Sequence, residues 1–254
     1  MGELHHIAFE DEASNIKEKV ENYWTKRADS FFDLRHDEIE SNKAERWINE
    51  IEKLLPDGKE LKILDVGCGA GFFEVLLGRR GHRVTGIDLT EEMISRATEM
   101  IKLYGIDADK VKVMTGDAEA LAFEDESFDV VISRNLTWTL PHPIEAYKEW
   151  NRVLKKGGVL INFDAEYAKG AHNLKSPENK AHSNISDELK DECHDIYHML
   201  TISTLDRPQW DKEILLQIGY ENVTYDNVFG RLIYKEIDEF YTPDLMFCLT
   251  GCKA

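Results

Sequence analysis

The chain has 254 residues, and a hydrophobic content of 42% is enough to fill one large α/β core with an elaboration. Its 31 Lys and Arg stand against 49 Asp and Glu, a net charge of -18, and no basic block stands out. A polyanion is repelled by such a field, which disfavours DNA, tRNA and rRNA as substrates. Four cysteines without a C-x-x-C pair, no apolar leader and no run of 18 apolar residues predict a cytoplasmic chain with reduced thiols and no membrane association.

Residues 1 to 13 are polar and acidic and are expected to fray. Ser14 or Asn15 can then cap a helix in which Ile16, Val20, Tyr23 and Trp24 share a face; Tyr23 and Arg27 lie one turn apart, where both can reach one ligand. A second helix is predicted from Asn42 to Leu55, with Trp47, Ile48 and Ile51 inward, ending at Pro56-Asp57-Gly58. Leu61 to Val66 reads as a strand buried on both faces. It runs into Gly67, Cys68, Gly69, Ala70 and Gly71, after which Phe73, Leu76 and Leu77 fall at helical spacing. Such a turn lets backbone amides at a helix N-terminus approach a carboxylate or phosphate closely. A dinucleotide site wants glycine or alanine three residues after Gly69, and that position is Phe72.

Further strands follow at Arg83 to Asp88, Lys112 to Thr115, Phe128 to Ser133 and Leu154 to Ile161. Between them Thr90 can cap a helix with Glu91 and Glu92 in its first turn and Ile94, Ala97, Ile101 and Tyr104 inward. Pro143 opens another, with Tyr147, Trp150 and Val153 at core spacing. Strand and helix alternate as a doubly wound parallel sheet requires.

The segment Asp65 to Gly71 resembles the first motif of class I S-adenosylmethionine-dependent methyltransferases, and acids at three successive strand ends follow in that family's order over roughly residues 60 to 165. Lys156 departs from the pattern, standing where the family usually has proline. The resemblance implies a Rossmann-like methyltransferase fold, a mostly parallel seven-stranded sheet, with S-adenosylmethionine as cofactor. It implies a glycine loop of Asp65, Gly67, Cys68, Gly69 and Gly71; a ribose contact at Asp88 and Leu89; adenine contacts from Met93, Gly116, Asp117 and Ala118; Arg134 and Asn135 past the fourth strand; and Tyr23 with Arg27 closing over the cofactor.

The stretch after the fourth strand lacks the N/D-P-P-Y/F sequence of base-amino methyltransferases, which weighs further against nucleic acid. Residues 165 to 184, rich in Gly, Asn, Ser and Pro, read as a mobile loop. Ser186 then caps a helix with Leu189, Cys193, Ile196 and Leu200 on one face, so 165–205 is expected to form an inserted lid. His194 and His198 are at i, i+4, but without a matching acid motif they read as a solvated face, and no metal site is expected. Pro208 opens a helix closed by Gly219. Glu221 to Val228 and Leu245 to Thr250 form an antiparallel pair, joined through a short helix near Ile233 to Phe240. The whole is one domain: a helical cap at 14–58, a cofactor core at 61–164, the lid, and a C-terminal unit at 206–254.

A sulfonium methyl is already activated, so orientation and exclusion of water suffice for most of its transfer. No catalytic residue is assigned. Trp138, Asp164, Glu166 and Tyr167 are the candidates for the acceptor pocket, and a small-molecule acceptor is the expected partner. Methylation of a basic protein and a non-catalytic cofactor-binding regulator are the alternatives. Arsenite methylation through Cys193, Cys248 and Cys252 has no pairing signal to support it.

Overall fold

The computed structural model describes residues 10–167 and 171–254. Seven strands, β1 (Lys62–Val66), β2 (Arg83–Asp88), β3 (Val111–Thr115), β4 (Phe128–Arg134), β5 (Leu154–Ala165), β6 (Tyr220–Asp226) and β7 (Met246–Lys253), form one sheet in the order β3-β2-β1-β4-β5-β7-β6. All neighbours are parallel except β7, which runs antiparallel to both β5 and β6. The chain starts in the middle at β1, winds outward to β3 and returns to β4, so the strand order reverses between β1 and β4. A crevice opens above the carboxyl ends of the strands at such a point.

Both faces are covered, as the continuous apolar runs of β1 and β4 demand. On one face α2 (Asn42–Glu52) and α3 (Phe72–Arg79) pack Trp47, Ile51, Phe73 and Leu77 against Ile63, Ile132 and Phe163. On the other, α5 (Pro143–Val153) and α7 (Gln209–Ile218) bring Tyr147, Trp150 and Leu215 onto Leu64, Val131 and Leu160. Helix α4 (Glu91–Leu103) follows β2, burying Met93, Ala97, Met100 and Ile101. Thr90 stands at its N-cap without capping it, because the hydroxyl is spent on Asp88.

The first helix, α1 (Glu10–Glu40), is 31 residues long and begins before Ser14 and Asn15, which are therefore inside it and not its caps. Residues 10–13 are helical, and the rest of the stretch expected to fray lies outside the described residues. The insertion contains a 3-10 turn at Ala171–Lys175, which low-complexity composition had concealed, then α6 (Asp187–Met199), with Ser186 accepting from the Leu189 N–H at 3.2 Å. Cys193, Ile196, Tyr197 and Leu200 pack with Ile16, Val20 and Tyr23 of α1 in a separate apolar cluster. The helix expected near 233–240 is only one turn, α8 (Gly230–Ile233); the residues after it form turns. Among the described residues no helix is long and apolar enough to cross a membrane.

A buried polar knot joins the insertion to the sheet. Arg207, fully enclosed, donates to Asp211 (2.9 Å) and Asp164 (3.0 Å), and Asp164 also accepts from Thr137 and from the Trp138 N–H at 2.9 Å. Asp164, expected in the acceptor pocket, is thus a structural clamp with no exposed surface. Replacing Arg207 by Met strands two buried carboxylates, and we expect a loss of about 3–5 kcal/mol. Urea denaturation checks it; an unchanged midpoint contradicts the assignment.

Candidate functional site

The glycine turn is built to bring backbone to the crevice. The N–H groups of Gly67 and Cys68 both donate to Ile87 O (2.8 and 2.9 Å), locking the turn to the end of β2. Gly67 (φ 73°) and Gly71 (φ 88°) are left-handed, which glycine alone adopts readily, and Gly71 stands at the N-terminus of α3. Asp88 completes the brace. Its Oδ2 accepts from the Gly69 N–H at 3.0 Å, and its Oδ1 accepts from the Thr90 N–H and hydroxyl at 3.1 and 3.0 Å. Burial pushes its carboxyl up, against the pull of the donors at Thr90 and Gly69.

A cleft runs from this turn across the ends of β3, β2, β1 and β4. Gly67, Gly69, Asp88 and Leu89 line its centre. Met93, Gly116, Asp117 and Ala118 line the β3 end, and Tyr23, Arg27, Arg134 and Asn135 the opposite wall. Trp138 and Tyr167 also face it, ring against ring with centroids 5.6 Å apart, and the Tyr167 hydroxyl donates to Asn135 at 2.8 Å.

Three residues expected at the cofactor stand behind the wall. Gly71 packs against Ala97, where an added Cβ would sit 3.1 Å from the Ala97 Cα. The Cys68 side chain lies against Gly86 of β2, and burial pushes its thiol up. Asp65 is buried beneath the turn beside Glu74, and burial holds both carboxyls well above the usual range, so each keeps its proton. Glu166 points away from the cleft. It accepts from the Arg207 N–H at 3.1 Å and borders a separate small depression with Ile202 and Leu205. Its position one residue past β5 gave no sign of which side it would take.

Residues not singled out from sequence complete the walls. Helix α1 lays Lys17, Phe31 and Arg35 along the cleft beside the expected Tyr23 and Arg27, and continuing the four-residue spacing from Tyr23 and Arg27 is a signal that could have found Phe31 and Arg35. Lys17 bridges Asp117 (2.7 Å) and Glu119 (2.6 Å). Glu38, with no exposed surface, accepts from Arg35, from Arg134 Nη2 (3.0 and 3.1 Å), from Trp47 Nε1 (2.9 Å) and from the Tyr234 hydroxyl (2.6 Å). Burial alone would raise the Glu38 carboxyl, but Arg134 and Arg35 hold it down at about 2. His182 of the insertion reaches the cleft with Nδ1 2.9 Å from Asn179 Oδ1; burial and then the charges of Arg27 and Arg35 hold it down at about 3, so the ring is neutral at pH 7. The exposed pair His194 and His198 has Nε2 atoms 3.2 Å apart, and among the described residues no group of three or more His, Cys, Asp or Glu could hold a metal ion.

Chemically the cleft is acidic at the β2 and β3 ends, where hydroxyls and an amino group find acceptors, and cationic and aromatic at the β4 side. The donor set fits S-adenosylmethionine: an acid at the end of β2 for ribose, the 116–118 turn and Met93 for adenine, and guanidiniums for a carboxylate.

Comparison with known proteins agrees. Residues 64–162 match the model of a methyltransferase domain. The chain is 36% identical over 134 residues to demethylmenaquinone methyltransferase of Staphylococcus aureus, covering 51% of this chain and 54% of that protein, and 29% identical over 170 residues to an uncharacterized protein of Haemophilus influenzae, covering 65% and 60%. It thus spans little more than half the length of the curated relatives it matches. A S-adenosylmethionine-dependent methyltransferase of Thermotoga maritima has a TM-score of 0.61 at 20% identity, over 92% of this chain and 99% of that one. A phosphoethanolamine N-methyltransferase of Haemonchus contortus has 0.57 at 16%, over 87% and 60%. Both likenesses are of fold.

Two outcomes follow from the geometry. Asp88→Asn removes the charge and turns one of the two accepting oxygens into a donor, so one arm of the brace goes with it; a charge-assisted bond contributes about 1.5–3 kcal/mol, and affinity for S-adenosylhomocysteine should fall tenfold or more by calorimetry. Parent-like affinity makes Asp88 a turn residue only. For the Asp65–Glu74 pair the folded pKa values lie above the unfolded ones, so their contribution to stability is full below about pH 4 and is lost as pH rises toward the folded values. Glu74→Gln supplies a fixed donor to Asp65, and the decline of the urea midpoint between about pH 5 and pH 8 should flatten. A slope equal to the parent's refutes the protonated pair.

Proposed function

The chain belongs to the class I S-adenosylmethionine-dependent methyltransferases through the domain at residues 64–162, and from that premise we propose that it transfers the cofactor's methyl group to a small-molecule acceptor in the same cleft. S-adenosylmethionine, when bound, supplies a sulfonium-activated methyl. The residues of the chain then have to bind, orient and exclude water.

Asp88, braced by Gly69 and Thr90, would accept the ribose hydroxyls, and Asp117, steadied by Lys17, faces the adenine end. Arg27 spends Nη1 on the Tyr23 hydroxyl at 3.2 Å and Nε on Ser30, and its remaining nitrogen would take the cofactor's carboxylate. His182 is the imidazole lining the cleft among the described residues. With Nδ1 donating to Asn179, Nε2 keeps a lone pair that can accept a hydrogen bond from the N–H or O–H of the acceptor and so orient it.

The observation that carries the small-molecule reading is enclosure. Helix α1 and the insertion close over the strand ends: α6 packs on α1, Lys26 pairs with Glu192 at 2.9 Å, and the Lys180 and Ala181 N–H groups both donate to Tyr241 O (3.0 and 3.1 Å). A macromolecule would be obstructed by this cover. The Staphylococcus relative, named for demethylmenaquinone, supports the same size class. Four free thiols are consistent with a cytoplasmic setting.

The cover must open for exchange, so 171–200 is proposed as a lid. Incubation with methyl-labelled cofactor and cell extract should place label in the low-molecular-weight fraction, and hydrogen exchange over 171–200 should slow on adding S-adenosylhomocysteine while β1 stays protected throughout. Label confined to protein or RNA overturns the acceptor class; exchange in 171–200 that is slow before ligand and unchanged by it overturns the lid.

A further inference from the structure

Resting on the methyltransferase reading, the structure points to the chemistry of the acceptor. We propose that the acceptor is a small anion, a carboxylate or phosphate ester on an apolar body, whose charge docks against Arg35 and Arg134 at the β4 side of the cleft.

The first observation is a count of buried charge. Two guanidiniums, Arg35 and Arg134, share one carboxylate, Glu38, and all three are nine-tenths or more enclosed. Glu38 is already saturated, accepting from both arginines, Trp47 and Tyr234. One positive charge is left over in a place where an unpaired charge is costly. Asp65 lies near Arg134 but keeps its proton, through burial and the neighbouring Asp88, and does not cancel it.

The second observation is unspent donors. Arg134 has Nε and Nη1 buried without a partner, its guanidinium held 4.5 Å from the Trp47 ring centroid and 4.8 Å from that of Phe72. Among the described residues Arg35 makes one hydrogen bond, through Nη1 to Glu38, and stacks 4.5 Å from the Phe31 centroid. Both side chains line the cleft. They are rigid, desolvated and short of one anion, in a protein of net charge -18.

The third is position. Asp88 and Asp117 set the nucleoside end over β2 and β3, and Arg27 is separately available to the cofactor's carboxylate. The Arg35–Arg134 pair lies beyond β1 on the far side, beside Tyr234, Phe240, Thr242 and Met246 from the approach to β7. That wall, with Trp138 and Tyr167, is aromatic and apolar, which suits the body of the acceptor.

The test uses matched pairs on the full chain saturated with S-adenosylhomocysteine: 3-phenylpropionate against 3-phenylpropionamide, and phenyl phosphate against phenol, each titrated while the melting temperature is followed. At least one acid should stabilise at a concentration tenfold or more below its neutral partner, and which acid does so separates carboxylate from phosphate. In Arg35→Gln that preference should fall to within threefold, Arg35→Lys should restore part of it, and calorimetric affinity for S-adenosylhomocysteine should stay within threefold of the parent in both. Neutral compounds performing as well as their acids overturn the proposal, as does the absence of stabilisation by either acid. A tenfold loss of S-adenosylhomocysteine affinity in Arg35→Gln with the acid preference intact also overturns it, since the guanidinium then serves the cofactor. If the parent itself does not bind S-adenosylhomocysteine, it is the methyltransferase reading that fails.

Discussion

Much of the structure converges on one carboxylate. Glu38 sits at the end of α1 with no exposed surface, and its two oxygens gather donors from α1 itself, from Trp47 of α2, from Arg134 at the tip of β4 and from Tyr234 beyond α8. Four segments widely separated in sequence are held at one point. A buried ion is tolerated only when paired and fully hydrogen-bonded, and an arrangement this demanding leaves the surrounding segments little freedom to repack. Through it the long first helix is anchored across the strand ends, and a crevice that the sheet topology would leave open acquires a wall.

The topology supplies the rest. Because the chain winds outward from β1 and returns to β4, the loops after β1, β2 and β3 splay to one side and those after β4 and β5 to the other. The glycine turn, Asp88 and the 116–118 turn belong to the first set, and Asn135 and Trp138 to the second. The acidic end of the cleft therefore comes from the first half of the sheet, and the cationic end is shared between Arg134 of the second half and Arg27 and Arg35 of α1.

The sheet was legible because buried parallel strands are written as short apolar runs ending in turn residues, and the acids at 88 and 117 mark strand ends directly. Local signals also found the Ser186 cap and the Gly219 stop. What escaped depended on partners far away in the chain. Asp164 and Arg207 are 43 positions apart, and Glu38 and Tyr234 are 196 apart, so no window of sequence shows either pair. Asp164 and Glu166 stood beside the expected pocket by sequence, but burial by α7 and the 201–207 segment turned both to another duty. The start of α1 was misplaced for a different reason: Ser14 and Asn15 are good caps but are also tolerated inside a helix, and α1 already runs through both.

Helix α1 is fixed unevenly, and mechanics follow from that. Its last turn is pinned by the Glu38 cluster, while the rest is held by the ion pairs of Lys17, by Thr25 and Asp29 on Glu92 and Arg96 of α4, and by contact with α6. At about 1.5 Å per residue, Tyr23 lies roughly 22 Å along the axis from Glu38. The helix is therefore a lever with its fulcrum at the cationic end. A tilt of about 5° at Glu38 would displace Tyr23 by about 2 Å and leave Arg35 nearly still. The mouth over the nucleoside can widen to the dimensions of a ligand while the seat at the other end keeps its spacing.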